Sequence, residues 1–239
     1  MKSKFLIFTL LTINLFSQRT LHERWNIELK KYVDEKGLVD YYNWSKESYG
    51  IDSYIEALQK NHPKKYWSKN EILSYWINAY NALTIKLILD NYPVNSIRDI
   101  DKPWSKKVIY YEFISYSLDQ IEHDILRKMG DPRIHFAINC ASISCPKLLN
   151  SAYLPYKIEN QLENVTKNFL NDSTKNIINE NEIIISKIFF WFKKDFGTKS
   201  QIQEFIKKYS EKKLNNPKVK YLPYDWGLNG INKVSYEIL

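Results

Sequence analysis

The 239-residue chain is 15% aromatic, with 18 Tyr and 7 Trp, which argues against a disordered protein and for one domain with a sizeable core. Its formal charge is +8, but the lysines are scattered among acids, with no arginine-rich stripe and no nucleic-acid motif, so a solvated surface is expected and not a nucleic-acid partner. Six glycines and no Gly-rich phosphate loop argue against nucleotide binding.

Residues 1–17 read as a secretory signal peptide, with an uncleaved membrane anchor as the alternative that Thr9, Thr12 and Asn14 disfavour. Lys2 and Lys4 form a basic start, an apolar run extends from Phe5 to Phe16, and Ser17 supplies a small residue for cleavage. Removing this leader takes two lysines and no acid, leaving +8 − 2 = +6 on a mature chain of 18–239. The protein is therefore expected to be exported, periplasmic or extracellular, with no transmembrane segment after signal removal.

The mature chain begins with a helical pattern from Leu21 to Tyr32 through Trp25 and Leu29, a break at Gly37 and an extended segment from Leu38 to Trp44. A short helix from Ile51 to Leu58 follows. Ser68 and Glu71 form a capping box that opens a longer helix, running to Asp90 and stopped by Asn91 and the Tyr92-Pro93 step. Leu73, Trp76, Ile77, Tyr80, Leu83, Leu87 and Ile88 give it a wide apolar face suited to packing on a sheet. Asn81 lies on that face and must be paired, as a structural clamp in preference to a site residue, while Asn78 projects to its edge.

A hairpin is expected from Val108 to Tyr111 and Ile114 to Tyr116. Ser117 and Gln120 then cap a helix from Leu118 to Met129, ended by Gly130. Glu122 falls on its inward arc, so it needs a cation or hydrogen-bond donors, and Arg133 and His135 are the expected partners. His123 sits at the rim of the arc.

The stretch His135 to Pro146 carries both cysteines of the chain and one of its four histidines. It is expected to be a short buried strand that breaks into a loop. Regular alternation puts His135, Ala137 and Asn139 on one face and Phe136, Ile138 and Cys140 on the other. Three readings of Cys140 and Cys145 stand open. An exported chain with two cysteines favours a disulfide. Cys140 could be a nucleophile, with His135 or His123 as base, Glu122 orienting that base and Asn139 or backbone donors holding the oxyanion. The two cysteines with His135 and His123 could also bind zinc, although their C-x4-C spacing departs from the usual short knuckle. Neither a resident metal nor a cofactor is expected.

Four motifs resemble the uncharacterised family called domain of unknown function 547: Tyr75 to Ile85, Ser117 to Arg127, Asp131 to Leu148 and, more loosely, Tyr221 to Asn229. The resemblance implies a family core at about 64–170 with a C-terminal extension over 171–239, and it carries over no reaction. It draws attention to Asn78, Tyr80, Asn81, Glu122, His123, Arg133, His135, Asn139, Cys140, Cys145 and Pro146. A helix laid on a sheet with a later histidine is also similar to the layout of papain-like and transglutaminase-like thiol enzymes. Those place the cysteine at the start of the central helix, where this chain has Lys69, Asn70 and Glu71.

In the last third, helices are expected from Tyr156 to Leu170 and Ser200 to Tyr209, with a hairpin at Ile177-Ile178 and Ile183 to Ile185. Ile188 to Phe192 fits a strand or a short core helix equally well. Tyr221 to Asn229 is an aromatic latch over the core or a loop returning to the site, with Asp225 orienting a histidine or Arg133. The chain is thus expected to be a single α+β domain, a central amphipathic helix on a small, mostly antiparallel sheet. Two functions fit: a thiol-dependent hydrolase or acyl transferase acting on an amide or ester, or a non-catalytic module with a structural disulfide that binds a small molecule or peptide.

Overall fold

The structure, a computed structural model, describes residues 21–210, 212–215 and 217–231; the expected signal peptide lies outside them. It is an α+β domain built around one buried helix. The helix α1 covers 21–32, followed by α2 (Tyr41–Lys46), α3 (Tyr49–Lys60) and α4 (Lys69–Leu89). Trp25, Tyr32, Trp44 and Tyr54 stack where α1, α2 and α3 meet, and the Trp44 indole donates to Glu28 at 3.0 Å. The segment expected to be extended from Leu38 to Trp44 is therefore largely helical. Asp40 explains the difference, because its carboxylate accepts the Asn43 amide and caps α2.

The capping box at α4 forms as expected. Ser68 Oγ accepts from the Glu71 amide at 3.3 Å, and the Glu71 carboxylate accepts from the Ser68 amide at 2.7 Å. Its packing is more complete than one apolar face predicts, since every residue from Leu73 to Ile85 is buried. The surrounding elements are α2, α3, α5 (Ile158–Asn171), the hairpin strand β1 (Lys107–Tyr110) and the wide helical turn Gln120–Leu126. This explains why polar side chains on several sides of α4 become structural.

β1 pairs with β2 (Ser115–Ser117) in an antiparallel hairpin as expected. Ser117 and Gln120 also exchange the expected capping bonds. The helix they open is not a regular α-helix: Gln120–Leu126 is wound as a π-helix, Arg127–Met129 as a 3₁₀ turn, and Gly130 ends it at φ +75°.

The stretch expected to be a strand is a 3₁₀ helix, Pro132–Phe136, followed by irregular chain. Asp131 accepts the Arg133 amide at 3.0 Å and Pro132 occupies the first helical position. An Asp-Pro pair is a helix-start signal that outweighs the apolar run behind it. The two-face alternation of His135 and Cys140 consequently does not apply.

β3 (Ile177–Ile178) and β4 (Glu182–Ile185) form the expected hairpin, and β5 (Lys218–Tyr221) adds to β4 in parallel. Ile188 to Phe192 resolves as helix, α6 (Ile188–Trp191), followed by α7 (Lys193–Phe196) and α8 (Lys199–Ser210), which packs on α5. No described helix is long and apolar enough to cross a membrane.

Candidate active-site cleft

The loop after Phe136 is held by asparagines. Asn81, from α4, donates to the Ala137 carbonyl at 2.9 Å and accepts from the Asn139 amide at 2.8 Å, so it is the clamp that its buried position required. Asn139 is spent in the same way, donating to the Pro146 carbonyl at 2.7 Å and accepting from the Ala141 amide at 2.7 Å. Its side chain fixes the loop and is not placed as an oxyanion donor. Asn78 corrects the expectation of an edge position: it is fully buried, donating to the Tyr153 carbonyl at 2.7 Å and accepting from the Tyr153 amide at 2.9 Å.

The loop held by Asn81 and Asn139 lines, through Ile138, Cys140, Cys145 and Pro146, a cleft of about 230 Å³ that also brings together Tyr80, Glu122, His123 and His135. Trp104, Trp191, Phe192, Tyr224 and Trp226 form much of its walls. Burial pushes the Glu122 carboxyl up to about 7, against the lowering effects of the Tyr80 hydroxyl, which donates to it at 3.2 Å, and of Arg127. Glu122 is thus poised between acid and anion near neutral pH.

His135 is held at 1% side-chain exposure, its ring stacked on Phe192 with centroids 4.0 Å apart. Burial lowers its pKa to about 4, although the bond to Asp195 works in the other direction. The imidazole is therefore neutral at pH 7. Its Nε2 lies 2.7 Å from Asp195 Oδ2, and a carboxylate can only accept, so Nε2 carries the proton and Nδ1 keeps its lone pair. That Nδ1 is buried, has no hydrogen-bond partner among the described residues and lies 3.9 Å from Glu122 Oε1.

Asp195 carries no mark of a site residue in the sequence, where it is one acid in a Lys-Lys-Asp-Phe run. α7 carries it to Arg127, whose Nε and Nη2 donate to it at 2.6 and 2.8 Å. Burial raises the Asp195 carboxyl, but the bonds from Arg127 and His135 outweigh it and hold the group below its ordinary value. Arg127 also reaches His123 Nδ1 at 2.7 Å, and His123 stays at the cleft rim with its side chain 42% exposed.

The expected partnership of Glu122 with Arg133 does not form. Arg133 instead binds Asp131 and Glu159, each at 2.7 Å, and lies 3.7 Å from Glu163, tying the 3₁₀ helix to α5. Asp225 is likewise not an orienting residue: its carboxylate accepts the Gly227 amide at 2.8 Å, and its own amide donates to Ser144 Oγ at 2.8 Å. The tail does return to the cleft, but through Tyr224 and Trp226.

Cys140 and Cys145 form a disulfide at the cleft wall. With both sulfurs committed to one bond, neither is a resting nucleophile, and the four-residue zinc set is not assembled. Among the described residues no group of three or more His, Cys, Asp or Glu side chains could hold a metal ion.

Comparison with known proteins adds a family and nothing finer. The family described as "Protein of unknown function, DUF547" matches over residues 64–170, and no curated protein and no solved structure matches the chain.

Proposed function

Residues 64–170 match the DUF547 family, and on that premise we propose that the protein is an exported binding protein whose cleft takes a small molecule or peptide segment presenting an amide. The observation that carries this reading is the buried, unpartnered Nδ1 of His135 set 3.9 Å from the Glu122 carboxyl. A neutral carboxylic acid donates and a neutral imidazole accepts. Side by side they complement a group that offers an acceptor next to a donor, as an amide does. The aromatic walls supply apolar surface for the rest of the ligand. The disulfide frames the cleft in this state, and export is the compartment in which such a bond persists.

N-acetyl-phenylalanine amide is a suitable probe, and the cleft tryptophans provide the signal. A saturable fluorescence change in the native protein that is lost in Trp226→Ala supports the reading; equal titration curves for the two proteins refute it.

A second reading, hydrolysis or acyl transfer at an amide or ester, is favoured by the Asp195–His135 pair, which fixes the imidazole tautomer as a thiol enzyme requires. It needs Cys140 as a free thiol. Hydrolysis of N-acetyl-phenylalanine ethyl ester that begins only after reduction and disappears in Cys140→Ser would replace the binding reading with this one. A silent reduced protein leaves binding alone.

A further inference from the structure

The two sulfurs of the disulfide are not equivalent. Cys140 is half-buried at the cleft wall, whereas Cys145 is only 5% exposed. Cys145 Sγ accepts from the Cys140 amide at 3.0 Å. The Tyr224 hydroxyl lies between the sulfurs, 3.2 Å from Cys145 Sγ and 3.3 Å from Cys140 Sγ, and Ser142 Oγ lies 3.2 Å from Cys140 Sγ. The Tyr224 oxygen in turn accepts from Ser142 Oγ at 3.1 Å, which leaves the Tyr224 proton free to turn to whichever sulfur carries charge. Cys140 is therefore the more reachable cysteine, and the sheltered Cys145 sulfur has a backbone donor of its own, with the Tyr224 hydroxyl within reach, to stabilise negative charge. Leaving-group stabilisation of this kind accelerates thiol–disulfide exchange.

We propose that Cys140–Cys145 is a polarised exchange site for a small thiol entering the cleft. The incoming thiolate attacks Cys140 Sγ and forms a new S–S bond with it. The Cys140–Cys145 bond breaks and its electron pair stays on Cys145 Sγ. The entering sulfur is oxidised to a mixed disulfide, Cys145 is reduced to a thiolate held by the Cys140 amide and the Tyr224 hydroxyl, and no other oxidant or proton is required. This step is independent of which amide the cleft recognises and needs no acyl transfer.

Reduced glutathione is the probe. The native, fully oxidised protein is incubated with it at pH 7, quenched with N-ethylmaleimide and mapped by peptide mass spectrometry. Glutathione on Cys140 with maleimide on Cys145 is expected, formed faster than on the oxidised peptide of residues 139–148. Tyr224→Phe, which lacks one donor, should slow the reaction about tenfold, since a hydrogen bond to a charged group is worth roughly that factor or more. Glutathione on Cys145, a rate no faster than the peptide's, or an unchanged rate in Tyr224→Phe would each overturn the proposal. If Tyr224→Phe does not fold, the position of the glutathione in the native protein and its rate against the peptide decide the matter.

Discussion

Asp195 and His135 are 60 residues apart in the chain and 2.7 Å apart in the fold, and that one bond determines which imidazole nitrogen is left to face Glu122. Asp195→Asn removes the obligate acceptor, so Nε2 is no longer bound to carry the proton. Nitrogen-15 NMR of the histidine rings should show a single Nε2–H tautomer for His135 in the native protein and a mixture in the variant. The same tautomer in both proteins would mean that the ring is fixed by its packing on Phe192.

Asp195 also neutralises Arg127, whose side chain is 23% exposed. Asp195→Ala leaves that guanidinium with a weakened set of partners and should cost about 1–3 kcal/mol in urea unfolding, a range that allows for its partial hydration.

Glu122 and His135 should impose opposite pH slopes on stability. The folded Glu122 keeps its proton up to about pH 7 while the unfolded group loses it near its ordinary value of 4.5, so stability falls as pH rises through that window. The folded His135 stays neutral down to about pH 4 while the unfolded ring protonates near 6.5, so stability is lost as pH falls through that window. Between about 4.5 and 6.5 the two contributions cancel. Glu122→Gln removes one of them. Its stability relative to the native protein should rise with pH from about 4.5 to 7 and level off, by up to about 3 kcal/mol. Parallel curves for the two proteins would show that Glu122 titrates normally.

Asn81→Ala strands the Ala137 carbonyl and the Asn139 amide in a buried site. A loss of roughly 2–4 kcal/mol in chemical unfolding is expected, because each unpaired buried group carries its own desolvation penalty. A loss below about 1 kcal/mol would mean that water replaces the amide without strain.

Replacing both cysteines by serine opens a short loop, and the entropy of closing a loop of that length predicts a loss of ~2 kcal/mol. Calorimetry of the oxidised and substituted proteins measures it. A much larger loss would show that the bond also holds the cleft wall and its neighbours in place.

The sequence is most legible where the signal is local. Ser68 with Glu71, Ser117 with Gln120 and the apolar spacing of α5 and α8 all mark elements that form where their residues place them. Glu122 is legible as an inward carboxylate and Asn81 as a clamp, because burying a polar group demands a partner wherever that partner lies. His135 reads as a strand residue only while its apolar neighbours are weighed above the Asp131-Pro132 start. The π winding of Gln120–Leu126 leaves no simple trace in a three-and-four spacing. Asp195 is hidden for a different reason: it reaches the cleft through long-range packing, and nothing adjacent to it in the chain reports it.

The family match ends at Leu170, yet Trp191, Phe192, Asp195, Tyr224 and Trp226 all lie beyond it. The matched portion thus supplies the acid, the imidazole and Trp104, and the portion beyond it supplies the anchor of that imidazole and most of the aromatic side of the cleft. A chimera that keeps 64–170 and exchanges the C-terminal third would retain the polar pair and change the surface set against it. The shape of the cleft's aromatic side, on this division, is written mostly in the part of the chain beyond the family match.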